Sequence, residues 1–248
     1  PNRKRGDGRF YAIDFDVAEL KTLDVVERFD AQTKKAVFPN RFPEHADVGL
    51  RIVTLAEEIA FIQGLNRSTG KSVGIYPEAK QPSWHRREGA DLSHAMLQVL
   101  SDFGYDRRKS NVYFQCFEPA ELKRVRNELK CDLNLVQLLG TGSANGTDYD
   151  QLMTAEGLQQ VASYADGIGP SFDSLYRVVD GLVSATEVVA NAHSAGLVVH
   201  PYTLRNDSLP DGFDRPEEVC EFLVRNRIDG VFSDFPDTTK SGLKLLQK

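Results

Sequence analysis

The sequence predicts an α/β protein built on a parallel sheet, and three observations predict it. From about residue 54 onward, short apolar runs of strand length alternate with amphipathic runs of helical period. The joints between them are short, as in right-handed strand-helix-strand crossovers. Strand centres fall near residues 75, 114, 135, 168, 198 and 231, at intervals of about 20 to 40 residues, the usual size of one βα unit.

The elements follow in order. Leu55 to Gly64 reads as a helix with Leu55, Ile59 and Ile62 on one face and Thr54 as its N-cap. Ser72 to Tyr76 reads as a strand, Leu92 to Phe103 as a helix, and Asn111 to Cys116 as the next strand. Pro119 to Leu129 is helical with proline in its first turn. Leu133 to Leu138 is a strand, and Gly140 to Asp148 a flexible connection lacking the pattern of a phosphate-binding glycine loop. Ala155 to Tyr164 is a helix and Asp166 to Gly169 a short strand. Ala185 to Ser194 is a helix closed by Gly196, followed by a strand from Leu197 to His200. Glu217 to Asn226, Gly230 to Ser233 and Asp237 to Leu246 complete the series as helix, strand and helix.

The first fifty residues do not share this rhythm. Arg9 to Phe15 reads as a short extended piece, Val17 to Leu23 as one or two helical turns, and Phe38 to Pro43 as a proline-bounded loop. The chain therefore divides into an irregular segment over 1–50 and six βα units over 51–248. Six strands are two short of a closed (β/α)8 barrel. An open doubly wound sheet and a barrel lacking its first two units both fit the pattern.

A chain of 248 residues with 41% hydrophobic and 27% charged residues has the composition of one globular domain or two small ones. Its net charge of -6 gives no electrostatic footprint for nucleic acid. No apolar run approaches a membrane span, and no secretory signal is visible. Cys116, Cys131 and Cys220 lack metal or disulfide spacing, and His45, His85, His94, His193 and His200 form no HxxxH pair.

The chemistry, in either architecture, belongs at the strand C-termini. Ile75-Tyr76-Pro77-Glu78-Ala79-Lys80 ends a strand with a carboxylate and an ammonium at i and i+2, which point to the same side. A carboxylate suits a hard divalent cation and a lysine suits a phosphate. A surface ion pair is the ordinary alternative. Other strand ends carry Gln115 and Phe117, Gln137, Ser171, then His200, Tyr202 and Arg205, and finally Asp234 and Phe235. His200 reads more readily as a hydrogen-bonded core histidine than as a catalyst, and Asp234 as either a helix cap or a site residue.

GIYPEAKQPSWHRREG (Gly74 to Gly89) resembles a metal-ligand segment of the periplasmic-type glycerophosphodiester phosphodiesterases. So do DGRFYAIDF, VYFQCFEPAELKRVRNEL, NLVQLL, YADGIGP, LVVHPYTLR and GVFSDFPD, in order along nearly the whole chain. The resemblance implies a TIM barrel that hydrolyses glycerophosphodiesters such as glycerophosphocholine to glycerol 3-phosphate and an alcohol. It implies Ca2+ or Mg2+ as cofactor, with Glu78 as a metal ligand and Lys80 facing the phosphate. It also places Gln115, Phe117, Tyr202 and Phe235 along the glycerol and phosphate pocket. A small-molecule substrate, a homo-oligomeric assembly and a periplasmic or secreted location accompany it.

The departures are at the N-terminal side. The family's His-Arg-Gly strand, its Glu-x-Asp metal pair and its His-Asp segment do not occur, so no catalytic histidine is expected in this chain. The first two barrel strands are expected to be missing, and the chain alone to be nearly inactive. The family's Asp-Tyr after GIGP is Ser171-Phe172 here, a change expected at the pocket rim. The rival reading is a non-catalytic descendant that binds a phosphodiester or a protein partner.

Overall fold

The computed structural model describes residues 3–39, 41 and 49–246. His45 and part of the Phe38 to Pro43 loop lie outside the described residues. The chain forms two compact units, residues 1–65 and 66–248. The boundary between them falls inside helix α2 (Leu55–Thr69).

In the first unit, Ala12–Asp14 is a turn of 3-10 helix where an extended piece was expected. Arg5 explains the difference, because its guanidinium grips the Asp14 carboxylate at 2.6 and 2.7 Å and folds the segment back. One helical turn, α1 (Val17–Leu20), follows, with Asp16 and Glu19 closing a capping box. Thr54 and Glu57 form the same device at the start of α2: Glu57 N–H donates to Thr54 Oγ1, and Thr54 N–H donates to Glu57.

The second unit holds the sheet. After α3 (Pro82–Arg87) and α4 (Leu92–Asp102) come strand β1 (Tyr113–Cys116), α5 (Pro119–Asn127) and β2 (Asn134–Leu139). Next are α6 (Tyr149–Leu152), α7 (Ala155–Ala162), β3 (Gly167–Pro170), α8 (Val188–Ser194) and β4 (Val198–Val199). Helices α9 (Pro216–Arg225) and α10 (Pro236–Leu246) end the unit. The four strands pair in parallel in the order β1-β2-β3-β4.

The expected strands at 72–76 and 230–233 are present only as bridged segments. Ile75 and Glu78 bridge Val112 and Gln115 in parallel, and Ser233 bridges Leu204. Proline at 77 and 201 removes a donor in each region and limits the ladder. Six parallel segments thus add one after another in chain order. A doubly wound sheet reverses its order at a switch point, whereas a barrel does not. The chain-order sequence decides for the barrel arrangement.

Side chains from the first and last segments meet. Tyr76 packs on Phe232 at 4.8 Å and stacks on Tyr113 at 5.0 Å, and its hydroxyl lies 3.0 Å from His200 Nδ1. The core behind the sheet is made of Phe114, Leu135, Leu139, Leu158 and Ile168, all fully buried. Gly167 sits where a Cβ would come within 2.5 Å of Val198 Cγ2, so β3 and β4 approach closely only because that position is bare. At the N-terminal ends of the strands, Asp166 accepts from Arg126 at 2.6 Å and from the Leu135 N–H at 2.9 Å.

Two antiparallel hairpins were not expected. Ser143–Ala144 pairs with Thr147–Asp148 where a flexible connection was predicted, turning on Asn145 and Gly146 at φ of 52° and 77°. Tyr176–Val179 pairs with Leu182–Ala185 around Asp180 and Gly181, at φ of 51° and 76°. Asn-Gly and Asp-Gly suit the left-handed positions of a two-residue hairpin turn. The second hairpin also takes residue 185 from the helix expected to begin there, and α8 starts at Val188.

Candidate active site

Glu78 and Lys80 leave the end of the first parallel segment on either side of Ala79, which is 1% exposed and donates its N–H to the Gln115 carbonyl at 2.9 Å. The buried alanine between them puts both charged side chains on the other side of the chain. Lys80 Nζ stands 3.6 Å from Glu78 Oε2; the lysine is mostly exposed and the carboxylate mostly covered. Gln115 is buried, and its amide Nε2 donates to the Tyr76 carbonyl at 3.2 Å, bracing the segment that carries Glu78.

Phe117 and Tyr202 come together with ring centroids 5.9 Å apart, nearly perpendicular. The Tyr202 hydroxyl donates to the Leu139 carbonyl at 3.1 Å. Burial, aided by the charges of Tyr149 and Glu78, pushes the Tyr202 phenol up to about 12. Tyr202 therefore stays protonated at neutral pH, and the Glu78 carboxylate lies within electrostatic reach of it. Phe235 is half-buried after the last segment, with its N–H donating to Ser233 Oγ at 3.0 Å. Asp234 accepts from Arg205 Nε at 2.8 Å. Ser171 and Phe172 both line a cavity of about 340 Å3 with Tyr202 and Arg205, while the Phe172 ring also packs against Tyr176, Phe213 and Phe222.

Tyr149 was not singled out from the sequence. It packs on Phe117 at 6.1 Å and donates from its hydroxyl to the Phe117 carbonyl at 3.5 Å. Its position directly after the hairpin at 143–148 is the signal that reading Asn-Gly as a turn supplies. Gln137, buried in β2, donates from Nε2 to the Phe117 carbonyl at 3.0 Å and accepts from the Tyr164 hydroxyl. The aromatic wall is thus fixed from below.

Three described histidines are engaged elsewhere. His85 Nδ1 is 3.0 Å from the Gln81 carbonyl oxygen, and His193 Nε2 is 2.9 Å from Asp229. His200 is half-buried and hydrogen-bonded, held by Tyr76 and edge-on to Tyr113. Among the described residues no group of three or more His, Cys, Asp or Glu side chains could hold a metal ion. Glu78 is a single carboxylate, whereas Ca2+ and Mg2+ take six or more oxygens. The described residues do not by themselves form a cage for the cation that the resemblance implies.

A parallel sheet that adds in chain order, with a carboxylate, an ammonium and an aromatic wall at its strand C-termini, defines a barrel-type α/β protein as the class. Comparison with known proteins makes the class particular. The chain belongs to the glycerophosphoryl diester phosphodiesterase family, whose profile matches residues 3–238. That family has the TIM-barrel fold, and by family the chain is a phosphoric diester hydrolase.

Its relatives agree. It is 38% identical over 266 aligned residues to a glycerophosphodiester phosphodiesterase of Haemophilus influenzae, covering 98% of this chain and 73% of that one. It is 34% identical over 270 residues to the enzyme of the same name from Treponema pallidum, covering 100% and 75%. In fold it is similar to a glycerophosphodiester phosphodiesterase from Parabacteroides distasonis, with TM-score 0.57, 14% identity and coverage of 94% and 72%. A structure from Silicibacter pomeroyi assigned to the same family gives TM-score 0.58 at 22% identity, and this chain spans 58% of that one.

Proposed function

We propose that the strand-end rim of this chain binds glycerophosphodiesters such as glycerophosphocholine, in an enzyme that releases sn-glycerol 3-phosphate and an alcohol during glycerophospholipid catabolism. The observation that carries the reading is the juxtaposition of Glu78 and Lys80 at the end of a parallel segment. The exposed Lys80 ammonium meets a phosphoryl oxygen as a mobile point charge. Phe117, Tyr202 and Phe235 offer apolar faces to the glycerol carbons, and Gln115 keeps the Glu78 segment in place.

A divalent cation, Ca2+ or Mg2+, belongs to the same proposal, with Glu78 as one of its ligands. Glu78 would supply only one of the oxygens such an ion needs, and the ion would bring Lewis-acid polarisation to the site. The lone carboxylate and the engaged histidines support a second element: this chain by itself turns over little substrate. General acid-base transfer alone supplies about 10²–10⁴-fold in rate. A periplasmic or secreted location, and assembly into a homo-oligomer, follow the subfamily resemblance; fractionation of source cells and light scattering test them. Among the described residues no helix is long and apolar enough to cross a membrane.

The test combines binding with turnover. Calorimetry is expected to show glycerol 3-phosphate binding that falls about tenfold or more in Lys80→Ala, the loss of one charged hydrogen bond. Release of glycerol 3-phosphate from glycerophosphocholine, with Ca2+ or Mg2+ added, is expected to be slight. Rapid metal-dependent release would overturn the low-activity element. Binding that ignores Lys80→Ala would overturn the placement of the phosphate. The rival, a binding protein without catalysis, is favoured by tight ligand binding without turnover, together with Ca2+ affinity unchanged in Glu78→Ala.

A further inference from the structure

Lys80 is joined to α3 by a single residue, Gln81, whose φ and ψ are both 49°. That is the left-handed region, which residues other than glycine rarely adopt. Gln81 also precedes Pro82, and a residue before proline is pushed toward extended backbone instead. The Lys80-Gln81-Pro82 sequence thus disfavours the conformation it holds. Strain of this kind persists only where the surrounding structure imposes it.

Two contacts between α3 and α5 do so. Ser83 donates to the Glu118 carboxylate from its N–H at 3.2 Å and from Oγ at 3.0 Å. One helical turn later Arg86 pairs with Glu121, which is fully buried and also accepts from Arg124 at 2.8 Å. Ser83 and Arg86 lie three residues apart on α3, and Glu118 and Glu121 three apart at the head of α5. Residues at that spacing share one helix face, so the two faces meet as a two-point clamp. On the other side of Lys80, the Ala79 N–H donates to the Gln115 carbonyl at 2.9 Å. Lys80 therefore stands between a strand bond and a strained link. Glu118 directly follows Phe117, so the clamp also ties the arm carrying Lys80 to the arm carrying the aromatic wall.

We propose that Ser83 and Arg86, clamped by Glu118 and Glu121, are positioning residues for Lys80. They hold Gln81 in its left-handed conformation and thereby fix where the ammonium stands at the strand end. The inference rests on the reading of Lys80 as the phosphate contact. The clamp acts through the backbone of residues 80–82 and assigns none of its four side chains a contact with ligand.

Ser83→Ala removes one clamp hydroxyl and leaves the buried Glu121 contacts in place. Calorimetry of the full chain with glycerol 3-phosphate is expected to show affinity about fivefold lower, the scale of one hydrogen bond. Gln81→Gly adopts the left-handed conformation without strain and is expected to bind as the unaltered chain does. In the Gln81→Gly background, Ser83→Ala is expected to lower affinity by less than about twofold, because the two sites are coupled through the link. A contact that merely supports the fold would give equal losses in both backgrounds. Arg86→Gln is the second variant, with the same pattern expected, so a folding defect in either leaves the other to decide. Trp84, the chain's single tryptophan, is half-buried on α3 beside Ser83 and reports on the helix without ligand. Its emission is expected to move to longer wavelength in Ser83→Ala and to return in the double variant. Equal losses of affinity in the two backgrounds, or affinity and emission unchanged in both Ser83→Ala and Arg86→Gln, would overturn the proposal. Should glycerol 3-phosphate fail to bind the unaltered chain, the phosphate reading falls and Trp84 decides the clamp. An emission shift reversed by Gln81→Gly then supports it, and the absence of a shift removes it.

Discussion

The two compact units differ in what they bury. Among the described residues of the first unit only Ile59 belongs to the buried hydrophobic set, while Phe10, Val26, Phe29 and Phe61 are all more than half exposed. In the second, Phe114, Leu135, Leu158 and Ile168 are fully buried. The first unit is tied instead by ion pairs and turns, such as Arg5–Asp14, Arg3–Glu19, Lys21–Glu57 and Arg51–Asp24. Ion pairs open to water in this way add little to stability. Cooperative stability therefore resides in the parallel sheet and its covering helices, and so does the candidate site.

The sharpest way to break that contrast is truncation. Leu135→Ala or Phe114→Ala is expected to remove about 3–5 kcal/mol of unfolding free energy. Phe61→Ala or Val26→Ala is expected to remove less than about 0.5 kcal/mol. Urea denaturation measures both, and similar losses in the two units would erase the distinction.

Polar burial gives the next effect. Glu121 is fully buried and paired with Arg86 of α3 and Arg124 of its own helix, and Arg124 also pairs with Asp91 at the start of α4. Glu121→Ala removes the buried partner of Arg86 and one of the two partners of Arg124, and is expected to cost about 3 kcal/mol. A loss no larger than that of Arg215→Ala, an exposed pair with Glu218, would mean that the network is solvated. Arg215→Ala itself is expected to leave the urea midpoint essentially unchanged.

Acid titration sharpens the picture at a single residue. Burial holds the His200 imidazole below its ordinary value of 6.5, while Asp229 pulls weakly the other way. The unfolded chain then binds this proton at higher pH than the folded chain. Stability from keeping His200 neutral is complete above about 6.5 and falls as pH drops toward the folded value. His200→Gln is expected to flatten the stability-pH slope in that window; an unchanged slope would assign it to other groups.

The smallest signal concerns the thiols. Burial pushes Cys116 up to about 12 and raises Cys131 and Cys220 as well. All three are buried and free. Reaction with a thiol reagent at pH 8 is expected to await unfolding, and prompt modification of the native chain would show the sheet opening locally.

Much of the fold was legible because its signals are local. The Thr54-to-Glu57 cap, the proline at the head of α5 and the apolar period of α7 are each written within a few residues. The two hairpins were equally local, since Asn145-Gly146 and Asp180-Gly181 are strong turn pairs; their strands are short and easily taken for loop. Gln115 and Tyr202 could be marked only as strand-end residues. That one braces the Tyr76 carbonyl and the other meets Phe117 depends on segments 39 and 85 residues away in the chain (115 − 76 and 202 − 117).

The sequence by itself determined the alternation of strands and helices, the placement of Glu78 and Lys80 on one side of a strand end, and the family membership that its segments carry. Each follows from backbone period and side-chain chemistry, which are properties of neighbouring residues. Only the tertiary structure decided that the segments add in chain order, that Tyr76 meets Phe232 and His200, and that Glu121 is buried between two arginines. Those outcomes depend on which distant surfaces exclude water from each other, and no local pattern encodes that.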